Sequence, residues 1–317
     1  MKNEQSSTPV SYAVNEYLSF VKHTLAHESH VHYEYQLGVF AAWCEKQGIG
    51  LEQIRRKVVN AFLDDLRKTH PGRKPGLPIT DRTLSGYVRS IKTMLYWCIK
   101  EDDEGEFREA IKEVSILSIK APRPDSEIIE TFSDKHIVGM LDACKAEENE
   151  CMRMRAVAIV MLLNTTGIRA AELCTLTLGH CHTDALSYIK VMGKGRRERE
   201  VELSNDTRRK LSAYIRKYRN QADESETVFV SRTGEYPLTV AGLQQLIRRL
   251  GRRAGVRGVR VSPHTFRHTF AARLYGVEKK DILAISRILG HRNIKITEIY
   301  LESISSRNVQ PGLRRVK

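Results

Sequence analysis

Apolar residues in the first hundred positions recur three or four apart, in four separate runs, which predicts four amphipathic helices. Val10, Val14, Tyr17, Leu18 and Val21 form the first stripe, and Leu37, Phe40, Ala41 and Cys44 the second. Ile54, Val58, Phe62, Leu63 and Leu66 form the third. His70-Pro71-Gly72 then breaks the period, and Pro75, Gly76 and Pro78 prolong the break. Asp81, a good helix cap, precedes a fourth stripe of Leu84, Val88, Ile91, Leu95 and Cys98. Its opposite face carries Arg82, Arg89 and Lys92. An acidic stretch from Glu101 to Glu106 and one further amphipathic segment follow. Periodicity then stops at Ala121-Pro122-Arg123-Pro124-Asp125, whose prolines and charges suit a linker.

The pattern changes beyond that point. Ser133-Asp134 caps a helix through Ile137, Met140 and Leu141, and residues 153–163 read as a strongly apolar helix. Thr166-Gly167-Ile168-Arg169 breaks into a fresh helix over Ala170 to Leu176. Residues 186–203 alternate with a period of two: Ile189 and Val191 precede the Gly193-Lys194-Gly195 turn, and Arg197, Arg199, Val201 and Leu203 interleave with Glu198, Glu200 and Glu202 after it. That is a β-hairpin. The remainder is helical again, notably Leu243, Leu246, Ile247 and Leu250, backed by Arg248, Arg249, Arg252 and Arg253. No internal repeat or low-complexity tract occurs.

A chain of 317 residues exceeds what one core usually organises, so two domains are expected: residues 1–120, a linker at 121–131, and residues 132–317. The fold class is mainly α with a small antiparallel sheet. Charge divides unevenly between these parts. The formal net charge is +14, and residues 131–317 hold 34 Lys and Arg against 19 Asp and Glu, whereas residues 1–130 hold 18 against 19. The whole basic excess therefore belongs to the second part, as expected for a partner rich in phosphate. The six cysteines make no CxxC pair and read as reduced and mostly buried. Neither a signal-peptide succession nor a membrane-length apolar run is present, so a cytoplasmic protein without a membrane partner is expected. His23, His27 and His30 do not match a metal-ligand spacing, and no metal or cofactor is expected.

The chemistry-bearing residues of the second part are Arg169, Lys194, His264, Arg267, His291 and Tyr300. A tyrosine hydroxyl, with a free pKa of about 10, attacks only where neighbours supply charge and handle protons. Attack on a phosphodiester builds negative charge on its free oxygens, which the planar forks of Arg169 and Arg267 suit. Lys194, between two glycines at the hairpin tip, can approach a duplex closely and protonate a departing oxygen. Glu172 follows Arg169 by three positions, an offset that would set both on one helical face with the carboxylate behind the guanidinium. His264 and Arg267 repeat that offset, with His268 adjacent. Taken singly, each has a structural reading: Tyr300 between Ile299 and Leu301 as a core tyrosine, the glycine-flanked lysine as an exposed turn.

The strings Thr166-Gly167-Ile168-Arg169-Ala170-Ala171-Glu172-Leu173, Gly193-Lys194-Gly195, His264-Thr265-Phe266-Arg267-His268 and Leu289-Gly290-His291 with Tyr300 resemble the tyrosine recombinase (phage integrase) family, in order and at its usual spacings. The resemblance covers residues 130–302, and the layout is similar to its Xer-like, two-domain members. It implies a helical, SAM-like core-binding domain and a mixed α+β catalytic domain that together form a C-shaped DNA clamp. It further implies that Arg169, Lys194, His264, Arg267 and His291 activate, that Tyr300 is the nucleophile, and that Glu172 and His268 support them. Tyr300 would form a 3′-phosphotyrosyl link and release a 5′-hydroxyl, and the energy kept in that link removes any need for ATP or metal.

Expected partners are double-stranded DNA with an inverted-repeat core site and three further copies of the chain in a homotetramer around a Holliday junction; whether an accessory protein joins them to set direction stays open. Arg82, Arg89, Lys92, Arg196, Arg248 and Arg252 are candidate DNA contacts. Arg196-Arg197 after the turn departs from the more uneven polarity the family pattern leads one to expect. So few residues precede the first helix that the extra arm-binding domain of some phage integrases is not expected. Two alternatives stay open at this point: a type IB topoisomerase acting without a specific site, and a non-enzymatic DNA-binding regulator using the basic helices at 205–219 and 243–253.

Overall fold

Each of the four N-terminal stripes lies on a helix. The structure, a computed structural model, describes residues 8–70, 78–100, 107–123, 130–182, 187–193, 197–290, 293–294 and 297–298. It divides into two compact units, Met1–Ser126 and Glu127–Lys317. In the first, α1 (Val10–Thr24), α2 (His27–Lys46), α3 (Arg56–Thr69) and α4 (Asp81–Lys100) are followed by the short α5 (Glu113–Ser118). Their apolar faces meet around Phe40, Phe62 and Tyr87, all buried, with Phe40 and Phe62 edge-on at 5.0 Å between centroids and Phe62 and Tyr87 at 5.8 Å. Ring edges meeting ring faces add specificity to what is otherwise burial of apolar area. The Ser90 hydroxyl, buried between α4 and α2, donates to Gln36 Oε1 at 2.7 Å, so the polar pair inside this core is satisfied.

Two local expectations need correction here. On α3 the buried face is Val59, Phe62, Leu63 and Leu66, with Val58 only half-buried; Ile54 precedes the helix, after a 3-10 turn at Leu51–Gln53. The spacing rule ran one turn too far because Ile54 is buried from an extended segment. Asp81 is the first helical residue rather than the cap: the hydroxyl of the preceding Thr80 accepts the Thr83 N–H at 3.3 Å.

In the second unit, α6 (Asp134–Ala143), α7 (Glu150–Thr166) and α8 (Ala170–Cys174) lead into a sheet of β1 (Cys181–His182), β2 (Tyr188–Gly193) and β3 (Arg197–Glu202). The order is β1-β2-β3, all antiparallel, with Ile189 opposite Val201 and Val191 opposite Arg199. Helices α9 (Asn205–Tyr218), α10 (Val240–Arg253), α11 (Pro263–Gly276) and α12 (Ile282–Leu289) complete it. The small antiparallel sheet in a mainly helical chain is as the sequence predicts.

Six of these helices open on a side chain that accepts one of the orphan N–H groups of the first turn: Ser133, Asn149, Ser204, Thr239, Ser262 and Asp281. α7 is apolar nearly all round because it runs through the core, where Ile159, Leu162 and Leu163 lie among Tyr214, Phe229, Leu246, Leu250 and Phe266. A smaller apolar cluster of Phe270, Ala271, Leu274, Ile285 and Leu289 joins α11 to α12. All six cysteines are free thiols; burial pushes Cys44 and Cys144 up to about 12, so neither ionises near neutrality. Among the described residues no helix is long and apolar enough to cross a membrane.

Candidate active site

The turn between α7 and α8 is where the site begins. α7 ends on Gly167, whose φ of 59° is left-handed and whose N–H donates to Leu163 O at 3.1 Å, closing the helix. Space excludes any other residue as firmly as φ does, since a Cβ there would lie 2.5 Å from Phe270 Cδ1. The chain then extends through Ile168 to Arg169, which caps α8 with φ −73° and ψ 151°. Glu172 turns back from the first turn of α8: its Oε2 accepts the Arg169 N–H at 2.8 Å and its Oε1 accepts Arg169 Nη1 at 2.7 Å. The pair therefore forms at a helix entrance and not along a helical face, because Arg169 stands before the first helical residue. The three-residue offset is that of a capping box, in which the third residue reaches back to the cap.

Arg199 completes this centre, and the sequence reading passed over it. The β2–β3 register sets it opposite Val191, on the face where Ile189, Val191 and Val201 are buried. It donates from Nη1 to Glu172 Oε1 at 2.8 Å and from Nη2 to Glu172 Oε2 at 2.9 Å. Glu172 is 3% exposed. Burial by itself would raise its pKa, but the Arg199 hydrogen bonds, the Arg169 N–H, the Arg199 charge and the Arg169 side-chain bond outweigh that and hold the carboxyl below its usual range. The signal was available in the hairpin alternation, which placed an arginine in the inward-facing set with Val201.

From the far end of the chain come α11 and α12. Ser262 caps α11 and Pro263 occupies its first position, which places His264 at the entrance and Arg267 one turn in. Arg267 is 3% exposed and spans two carbonyls, donating from Nη1 to Gly167 O at 2.8 Å and from Nη2 to Leu289 O at 2.6 Å. Arg169 Nη2 donates to Gly290 O at 2.9 Å. Gly290 ends α12 in the left-handed conformation with φ 66°. Carbonyls at a helix C-terminus carry partial negative charge, so two guanidinium groups are well placed there. The two arginines thus fasten the α7–α8 turn to the residues directly before His291.

His264 remains partly open to solvent, and its ring meets that of His268 edge-on at 4.2 Å between centroids. Its pKa is lowered by the protein around it, then by the positive charges of Arg267, Arg260 and Arg169. His268 is pushed down to about 3 by burial, then by His264 and Arg267. Both shifts favour the neutral imidazole at pH 7.

The other candidates divide as follows. Lys194, Arg196, His291 and Tyr300 lie outside the described residues. Arg82 and Arg89 are exposed on α4, seven residues apart and so on one face, and Arg248 and Arg252 are exposed on α10 at an i,i+4 spacing. Lys92 departs from expectation: it is half-buried, and its Nζ donates to Ile119 O just past the end of α5 at 3.1 Å, a bond internal to its own unit. Arg249 and Arg253 are held by Glu147, a second buried carboxylate, at 2.6 and 2.5 Å, and so fasten α10 to the segment before α7.

Residues 130–307, more than half of the chain, match the phage integrase family. The chain belongs to that family. Among its relatives, the tyrosine recombinase XerC of Leptospira interrogans is 27% identical over 284 residues, 89% of this chain and 85% of the relative. The tyrosine recombinase XerD of Pseudomonas aeruginosa is 27% identical over 280 residues, 87% of each chain. Of solved structures, a XerH site-specific recombinase bound to a palindromic substrate aligns with a TM-score of 0.78 at 17% identity, covering 98% of this chain and 97% of the other. A lambda integrase dimer bound to a core site aligns with a TM-score of 0.62 at 16% identity, covering 94% and 78%. This phage integrase family member therefore shares the tyrosine recombinase fold over nearly its whole length.

Proposed function

We propose that the chain is a site-specific DNA recombinase in which Tyr300 cleaves and rejoins strands through a 3′-phosphotyrosyl intermediate. The Tyr300 oxygen forms a bond to phosphorus, the bond from phosphorus to the 5′ oxygen breaks, the phenol loses its proton and the 5′ oxygen gains one. Arg169 supplies a positive charge with 39% of its side chain exposed, fixed by Glu172 and the Gly290 carbonyl. Arg267 adds a second, fixed by two carbonyls. Groups preset for the charge of the transition state lower its energy without reorganising, and that is the largest contribution expected from the protein. Neutral His264 takes or shares a proton at the phosphate, Lys194 protonates the leaving 5′ oxygen, and His291 completes the set. Rejoining is the same step in reverse, with a 5′-hydroxyl from the partner strand as the attacking group.

The observation that carries this reading is the convergence of Arg169, itself held by Glu172, and Arg267, from two distant stretches of sequence, on the carbonyls directly before His291. In this reading the helical unit is the core-binding domain and the second unit the catalytic domain. Four copies pair two inverted-repeat sites through a Holliday junction in the cytoplasm. The test is covalent capture in cells carrying the flanking DNA: wild type and Tyr300→Phe are denatured in place, and the attached fragments are sequenced. Tyr300-dependent adducts at one short inverted repeat support the proposal. Adducts scattered without sequence preference favour a relaxing enzyme, and none from wild type removes the catalytic reading.

A further inference from the structure

Glu172 accepts four described hydrogen bonds, two from Arg169 and two from Arg199. A carboxylate has about four lone-pair sites, so its capacity is filled and its orientation fixed. Without Arg199, Arg169 and Glu172 would form a neutral pair, and a phosphate approaching Arg169 would meet a carboxylate of equal charge behind it. With Arg199 the three groups sum to one positive charge. The stem of Arg199 also lies against the backbone before His291: a Cβ on Gly290 would sit 3.1 Å from both Cδ and Nε of Arg199. Arg199 thus joins β3, the strand that follows Lys194, to Glu172 and to the end of α12.

We propose that Arg199 is a positioning residue for strand cleavage: it holds Glu172 and offsets its charge, so that Arg169 meets the phosphate with its own charge uncompensated. The proposal rests on the recombinase reading above. Arg199 itself is 17% exposed and has both terminal nitrogens on Glu172, so it acts through Glu172 and Arg169 and not on DNA. A guanidinium fork is required for two parallel bonds to one carboxylate, which a lysine cannot make.

The experiment uses the full chain and a duplex carrying the sequence recovered from wild-type adducts. Single-turnover cleavage and binding are measured separately for Arg199→Gln, Arg199→Lys, Glu172→Gln and the Arg199→Gln/Glu172→Gln pair. Arg199→Gln is expected to bind within about twofold of wild type and to cleave on the order of 100-fold more slowly, the penalty typical of a misplaced catalytic group. Arg199→Lys recovers part of that rate by restoring charge without the fork. In the paired variant the two losses do not multiply, because Arg199 works through Glu172. Wild-type cleavage by Arg199→Gln, or losses that multiply, would overturn the proposal; so would equal losses of binding and cleavage, the mark of a merely structural role.

Hydrogen exchange at the Arg169 amide needs no DNA and keeps the two ideas apart. The N–H is bonded to Glu172, so loss of its protection in Arg199→Lys and Arg199→Gln supports positioning, whereas unchanged protection defeats it. If wild type forms no adduct on any DNA, the recombinase reading fails on that result alone.

Discussion

Gly167→Ala is the substitution whose consequence can be followed furthest from a single atom. Gly167 has φ 59°, where an L-residue is strained by about 1–2 kcal/mol, partly offset by roughly 0.5 kcal/mol because alanine restricts the unfolded chain. The added methyl would start 2.5 Å from Phe270 Cδ1, and forcing such an overlap in a filled core costs about 1–3 kcal/mol. Together the expected loss is about 2–4 kcal/mol. Any shift that relieves the overlap also moves the Gly167 carbonyl, which accepts Arg267 Nη1 at 2.8 Å, so cleavage should fall more than site binding.

Urea unfolding followed by far-UV circular dichroism measures the first effect. Tryptophan fluorescence would not, because Trp43 and Trp97 both belong to the other unit. Phe270→Ala separates the two terms: with Cγ and Cδ1 gone, Gly167→Ala should cost only about 1 kcal/mol, the backbone part. An alanine variant within about 0.5 kcal/mol of wild type, or an unchanged cost in the Phe270→Ala background, would refute the reasoning.

Two further outcomes follow from the charges. His268 is neutral in the folded chain down to about pH 3, whereas unfolded it takes a proton below its ordinary value of about 6.5; its contribution is complete above pH 6.5 and lost as pH falls from there towards 3. At most about 2 kcal/mol should disappear between pH 7 and 5, and His268→Gln should flatten that limb of the urea-stability profile; an unchanged limb would show that the imidazole is not held neutral. Lys92→Met should destabilise the helical unit by about 1 kcal/mol through the lost bond to Ile119 O while leaving DNA affinity nearly intact, and Arg89→Ala, exposed on the same helix, should do the reverse and weaken the salt dependence of binding; equal effects on affinity would contradict the division.

Local patterns in the sequence announced local structure well. Ser133 before Asp134 announces the cap that α6 has, and the alternation around Gly193-Lys194-Gly195 announces the β2–β3 hairpin, because both depend on residues a few positions apart. What stayed hidden depends on distance. Glu147 meets Arg249 and Arg253 across 102 and 106 residues, so two arginines that look like one basic helical face with Arg248 and Arg252 are committed to a buried carboxylate. Arg267 reaches Gly167 across 100 residues, and no spacing rule says which carbonyls a buried guanidinium will find.

Arg199 was missed for a different reason. An arginine alternating with glutamates reads as a solvated strand unless its period-two place beside Val201 is given weight, and the register opposite Val191 shows that it faces inward. Arg169 and Glu172 illustrate a right pairing with the wrong geometry: the offset of three identified the partners, but it belongs to a helix entrance, which an isolated offset cannot distinguish from a helical face.

The most direct test of the central claim is to find the atom that carries the DNA. Wild-type protein is trapped on the site recovered by covalent capture, digested with nuclease and trypsin, and the adducted peptide is sequenced by mass spectrometry. The account predicts a nucleotide joined through its 3′ phosphate to Tyr300, within the tryptic peptide 296–307, and a free 5′-hydroxyl on the released strand. An adduct on any other residue, or a link through a 5′ phosphate, would contradict it.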